Sequence, residues 1–210
     1  MNIYKIVNSV AYENTYIIEN EHHLLLVDPG SDFEVIQEHI HTLQKPIAAI
    51  LLTHTHYDHI MSLDRVRDAF DTPPVYVAES EASWLYTPVD NLSGLPRHDD
   101  MEDVLARPAE HFFSFETTYD IADFHFRVVP TPGHSIGGVS MIFSDGEFVL
   151  TGDALFRETI GRTDLPTGNA EQLIQSIKGQ LLTLPKHYTV YPGHGAETTI
   201  AHEKNFNPFL

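Results

Sequence analysis

Cysteine is absent from the 210 residues. That excludes a disulfide framework and any thiolate metal site, so metal chemistry in this chain must use nitrogen and oxygen donors. Basic side chains are scarce as well: twelve lysines and arginines face thirty acids, for a formal charge of −18. Such a field repels nucleic acid and anionic membrane surfaces, and no run of Lys or Arg reverses it locally. Long apolar runs are also missing, since no stretch approaches the roughly 20 residues that span a bilayer. The opening Met1-Asn2-Ile3-Tyr4-Lys5-Ile6-Val7 has neither the basic flank nor the long apolar core of a signal peptide. The expectation is a soluble, cytoplasmic protein that acts on a small molecule, with no nucleic-acid or membrane partner.

What is present is enough apolar material for one domain spanning 1–210, at 42% hydrophobic residues. Runs rich in apolar and β-branched residues predict strands at Ile3 to Val7, Thr15 to Glu19 and His23 to Val27, the last ending at the turn Asp28-Pro29-Gly30. A helix follows, capped by Asp32 and carrying Phe33, Ile36, Ile40 and Leu43 on one face. Ile47 to Leu52 is apolar at consecutive positions, as a strand covered on both sides would be. Further strands are expected at Pro74 to Ala78, Phe112 to Glu116, Phe124 to Val129, Val139 to Phe143, Phe148 to Leu150 and Thr189 to Tyr191. Between Tyr86 and His111 the pattern weakens into Pro88, Asn91-Leu92-Ser93-Gly94, Pro96 and Asp99-Asp100. Residues 87–110 read either as a lid or insertion, or as an ordinary connection with a short helix around Met101 to Leu105.

Chemistry concentrates in Thr53-His54-Thr55-His56-Tyr57-Asp58-His59, directly after the buried strand and before a helix expected near Ile60. Loops at strand ends are where α/β scaffolds place reactive groups. His134 in Pro132-Gly133-His134, Asp153 in Thr151-Gly152-Asp153 and His194 in Pro192-Gly193-His194-Gly195 occupy similar strand-end positions. Alternate side chains of extended backbone point the same way, so His54 and His56 can chelate one ion. Asp58 and His59 can turn toward a second ion, and the two oxygens of Asp153 can bridge the pair. Each histidine taken singly would be an ordinary polar residue. Together, five imidazoles and two carboxylates suffice for two divalent cations of the zinc class, with iron or manganese as alternatives, and leave room for water. His22, His23, His39, His41, His98, His111, His125, His187 and His202 lack this context and are read as surface or packing residues.

These motifs resemble the metallo-β-lactamase fold superfamily along most of the chain, from Asp28-Pro29-Gly30 to Pro192-Gly193-His194-Gly195. Gly161-Arg162-Thr163-Asp164-Leu165-Pro166 and the ending Asn207-Pro208-Phe209-Leu210 are further similar to small glyoxalase II-like hydrolases. The resemblance implies an α/β (α+β) fold, an αββα four-layer sandwich. It also implies that His54, His56 and His134 hold one metal, that Asp58, His59 and His194 hold the other, and that Asp153 bridges them. Asp58 would orient a hydroxide made available near neutral pH, cleaving a thioester or activated ester, possible substrates including a glutathione thioester. Arg157 and Arg162, shortly after Asp153, are candidates to meet a substrate carboxylate, with surface ion pairing an equal alternative. Met61-Ser62 stand where relatives often place two glycines, which would reshape the pocket. A mononuclear-iron persulfide dioxygenase and a lactonase of the same fold are the alternative functions.

Overall fold

Segments that are apolar at every position, such as Leu24–Val27, are stable as strands only when both faces are covered. In the computed structural model, which describes residues 1–96, 101–115 and 117–210, these segments are central strands. The first sheet has six: β1 (Asn2–Val7), β2 (Asn14–Glu19), β3 (Leu24–Val27), β4 (Ile47–Leu51), β5 (Val75–Val77) and β6 (His111–Phe112), in that spatial order. β1 to β3 form an antiparallel meander, and β3 to β6 run parallel. Parallel neighbours require crossover connections; α1 (Phe33–Leu43) joins β3 to β4, and α2 (Leu63–Ala69) joins β4 to β5. Phe33, Ile36 and Ile40 of α1 and Leu63 and Val66 of α2 are buried in one core with Leu26, Ile50 and Val75.

The second sheet has β7 (Thr118–Ile121), β8 (Phe124–Pro130), β9 (Val139–Phe143), β10 (Phe148–Gly152), β13 (Thr189–Pro192) and β14 (Thr198–Thr199), ordered β14-β13-β10-β9-β8-β7. A small hairpin of β11 (Leu155–Phe156) and β12 (Thr159–Ile160) follows β10. α3 (Ala170–Ser176) continues into one wider turn, Ile177–Leu181, and α4 (Ile200–Phe206) closes the chain. β10 and β13 are parallel, and Leu173, Ile177 and Leu181 cover them in a core with Val149, Val190 and Ile200. Phe126, Phe143 and Phe148 stack in sequence along this sheet, with centroids 4.9 and 4.7 Å apart. Contacts gather the chain into two compact units, Met1–Phe113 with Ile121–Asp123, and Ser114–Asp120 with Phe124–Leu210.

Four sequence expectations change; in the first, the strand expected from Phe112 onward is only His111–Phe112. Asp32 precedes α1, but its carboxylate makes no cap; it accepts from Ser9 N at 2.9 Å and Ser9 Oγ at 2.6 Å instead. The helix expected near Ile60 is a single 3₁₀ turn, Tyr57–His59, and α2 starts only at Leu63. The short helix expected around Met101 to Leu105 is replaced by irregular chain. Its backbone donors go to distant partners, Val104 N to Ser93 Oγ at 2.9 Å and Ala106 N to Leu85 O at 2.7 Å. The same segment is tied to α2, because Arg107 pairs with Asp64 and Asp68 while Arg67 binds Glu110. α3, α4, β7, β11, β12 and β14 have no counterpart in the sequence pattern. His98, Asp99-Asp100 and Glu116 lie outside the described residues. Among the described residues no helix is long and apolar enough to cross a membrane.

Glu19, at the end of β2, is a polar fastener for the first sheet. It accepts from Asn2 Nδ2 at 2.9 Å, Tyr4 Oη at 2.8 Å and Lys45 Nζ at 2.7 Å. These donors lower its carboxyl pKa from 4.5 to about 2. A carboxyl depressed in the folded state stabilises fully above its unfolded pKa and loses that contribution as pH falls through the folded value. Glu19→Gln is therefore expected to lower unfolding free energy by about 1 kcal/mol at neutral pH. In urea titrations across pH, the deficit should shrink below about pH 4.5 and vanish near pH 2.

Candidate metal centre

Strand β4 ends at Leu51, and the extended chain beyond it sends alternate side chains in opposite directions. Thr53 and Thr55 turn to buried carboxylates. Asp28, just past β3, accepts from Thr53 N at 2.7 Å through Oδ1 and from Thr53 Oγ1 at 2.5 Å through Oδ2. Glu81 accepts from Thr55 N at 2.8 Å. His54 and His56 are thereby left on the other side, and the following turn adds His59. The ring of His54 lies 4.7 Å from that of His56 and 4.1 Å from that of His59, centroid to centroid. All three are buried, as is Asp58, whose Oδ2 lies 3.8 Å from His59 Nε2. Trp84 stacks on His56 with rings 6.1 Å apart and inclined by 16°.

His59 Nδ1 sits 3.0 Å from Asp28 Oδ2, and His54 Nδ1 sits 3.2 Å from Thr53 Oγ1. An acceptor at Nδ1 favours the tautomer with hydrogen on Nδ1, which leaves the Nε2 lone pair to face a cation. Asp28, His54 and His59 each offer one atom within 4.8 Å of the others. Because both Asp28 oxygens are already bound to Thr53, that carboxylate is better suited to backing the imidazole than to ligation. A second buried acid, Glu13, lies 3.8 Å from His59 Nδ1 through Oε1. Burial pushes its carboxyl well above the usual range against the opposing pull of His59, while Asp28 and Asp58 push it the same way as burial.

The second unit assembles its own set. His134 follows β8, Asp153 follows β10 and His194 follows β13. Gly133 takes φ +130°, and a side chain there would strike the backbone of Leu173, so glycine is required for the turn that presents His134. His134 Nδ1 is 2.8 Å from the carbonyl of Arg162. Its Nε2 is 3.4 Å from Asp153 Oδ2, and His194 Nε2 is 3.3 Å from the same oxygen. One carboxylate oxygen thus faces two imidazole nitrogens. The backbone holds the strand ends together, as Gly193 N donates to Gly152 O at 2.8 Å.

The remaining candidates are placed differently. Arg162 makes its forked contact with Asp164, at 2.8 and 2.7 Å. Arg157 is exposed between β11 and β12 and lines a surface cavity with Glu197 and His202. Of the histidines read as surface or packing residues, His39 bonds within its helix, His41 packs on Phe70 and His202 meets Glu158. Sequence reasoning gave no role to Glu13 or Glu81, and it read Asp28 as a turn residue. The available signal was an acid directly after an all-apolar strand, where a buried carboxylate must be compensated.

The family model described as the metallo-beta-lactamase superfamily matches residues 9–194. The chain belongs to this superfamily. It is 63% identical over its full length to a probable metallo-hydrolase of Streptococcus pyogenes serotype M6, covering 90% of that protein. It is 32% identical to the hydroxyacylglutathione hydrolase GloC of Haemophilus influenzae, covering 100% of this chain and 98% of that one. Among solved structures, the BLEG-1 B3 metallo-beta-lactamase superposes with a TM-score of 0.94 at 38% identity, covering 100% of this chain and 99% of its own. TTHA1623 in a di-iron-bound form gives 0.84 at 32% identity, covering 99% and 100%. The fold is therefore the mixed α/β fold of metallo-β-lactamases, with two sheets and helices, and the protein is a metallo-hydrolase of that superfamily.

The residues suit divalent metals: imidazoles, of which those of His54, His59 and His134 are held at Nδ1, and carboxylates that a cation would neutralise. Asp28 is the support whose loss should be felt most. Asp28→Ala strands the buried Thr53 amide, and it is expected to cost about 3 kcal/mol of unfolding free energy. A urea midpoint within error of the wild-type value would contradict that support.

Proposed function

We propose that His54, His56 and His134 hold one divalent ion, that Asp58, His59 and His194 hold a second, and that Asp153 bridges them for hydrolysis of a thioester or activated ester. The observation that carries this reading is the shared oxygen of Asp153, facing His134 Nε2 at 3.4 Å and His194 Nε2 at 3.3 Å. Zinc is the favoured metal, and the di-iron form of TTHA1623 keeps iron in view. When bound, such ions lower the pKa of a coordinated water toward neutrality and take up oxyanion charge.

The chain's own groups orient and move protons. Asp58 holds the attacking water and accepts a hydrogen bond from it. Asp28 fixes His59 from behind, and the Arg162 carbonyl fixes His134. Thiolate leaving groups depart readily because thiol pKa values lie near about 8.5, whereas an amide nitrogen must be protonated first. That difference favours thioesters over lactams, and it agrees with the 32% identity to a hydroxyacylglutathione hydrolase. Arg157 is the residue proposed to meet an anionic substrate, since Arg162 is already paired with Asp164. The substrate is a small molecule; at −18 the chain has little attraction for a polyanion.

Metal analysis should return two zinc ions per chain, and turnover of lactoylglutathione should exceed that of a lactone, a cephalosporin or an organic persulfide. Asp58→Ala should reduce that turnover by about 10²- to 10⁴-fold, with His125→Ala near wild type. Chelation of the metal should lower the melting temperature. One iron per chain with oxygen uptake on the persulfide would instead establish the dioxygenase reading.

A further inference from the structure

Glu13 plays no part in the chemistry above, yet its position is unusual. It is completely buried at the end of the β1–β2 turn, in which Ala11 and Tyr12 both take φ +56°. One oxygen, Oε2, accepts from Asn8 Nδ2 at 2.6 Å and lies 3.3 Å from Thr15 Oγ1. The Thr15 hydroxyl donates to Asp28 O at 2.8 Å, which leaves Asn8 as the firm donor to Glu13. The other oxygen, Oε1, has no hydrogen-bond partner and stands 3.8 Å from His59 Nδ1. A carboxyl oxygen without a hydrogen-bond partner in a protein interior is costly. A side chain serving only to fasten the turn would not need that oxygen beside an imidazole.

Gly30 supports the same arrangement. A Cβ on Gly30 would collide with Glu13 Oε2 and the side-chain amide of Asn8. The turn Asp28-Pro29-Gly30 therefore supplies one carboxylate to His59 and clears the space for the other.

We propose that Glu13 is a positioning residue for His59, flanking Nδ1 together with Asp28 Oδ2 so that the imidazole keeps its hydrogen on Nδ1 and presents Nε2 to a cation. The second part of this statement rests on the reading of His59 as a metal ligand. Glu13 has no contact with substrate in this role. It acts through the ring, as partners behind metal-bound histidines do when their loss weakens metal binding by about 10- to 100-fold.

The test uses the full chain with ¹⁵N-labelled histidine, first stripped of metal and then titrated with zinc against a chromophoric chelator. In the stripped wild type, at a pH where the imidazoles are neutral, the ring nitrogens of His59 should report a single tautomer with hydrogen on Nδ1. In Glu13→Gln they should report a mixture. One of the two stepwise zinc affinities should fall by about 10-fold or more, and the other should hold. Glu13→Asp, which keeps the carboxyl group but withdraws the oxygen from His59, should show the same selective loss, and urea unfolding of the stripped proteins identifies any variant that fails to fold. An unchanged His59 tautomer in a folded variant overturns the proposal, as does an equal loss of both affinities. If the wild type binds no zinc, the metal reading fails by itself, and the tautomer comparison in stripped protein still decides the role of Glu13.

Discussion

The carboxylate of Asp28 ties the end of β3 to the segment leaving β4. Within a few ångströms it accepts the Thr53 amide, the Thr53 hydroxyl and His59 Nδ1. Without it, a backbone donor would be buried unpaired, and the extended run from Thr53 to His56 would have nothing to hold its alternation in place. That alternation decides which residues face inward to acids and which are offered as ligands. Asp28 itself adopts φ +48°, a left-handed conformation uncommon for a residue other than glycine. Such local strain persists when surrounding contacts over-determine it.

The second unit reaches a comparable result by other means. Its strands deliver His134, Asp153 and His194 from three separate ends, and backbone hydrogen bonds replace the carboxylate clamp. Asn169 N donates to Gly133 O at 2.7 Å and Gly193 N to Gly152 O at 2.8 Å. Arg162 contributes through its carbonyl, while its guanidinium is engaged by Asp164. At His134, Arg162 thus acts through an atom that every amino acid possesses.

Strand positions in the first 80 residues were legible because their apolar runs are bounded by turn signals, Asp28-Pro29-Gly30 after one and Pro46 before another. The strand-end positions of the histidines and Asp153 were legible for the same reason. The α2 start was misplaced because Ser62 N donates to Pro29 O, a tertiary contact that local pattern does not encode. The helix expected at Met101 to Leu105 failed likewise, its donors going to Ser93 and Leu85. α3 and α4 are only seven residues each, too short to give a strong period. Most hidden of all were Glu13 and Glu81, since a carboxylate compensated by partners far away in sequence looks like any surface acid.

Trp84 carries one more consequence. It is the only tryptophan in the chain, and its ring lies nearly parallel to His56. The intrinsic indole emission of this protein therefore comes from a single reporter resting on one of the proposed metal-bearing imidazoles. Occupancy by a quenching ion such as cobalt or copper would be readable from unlabelled protein in a cuvette, with no second fluorophore of that class to dilute the signal.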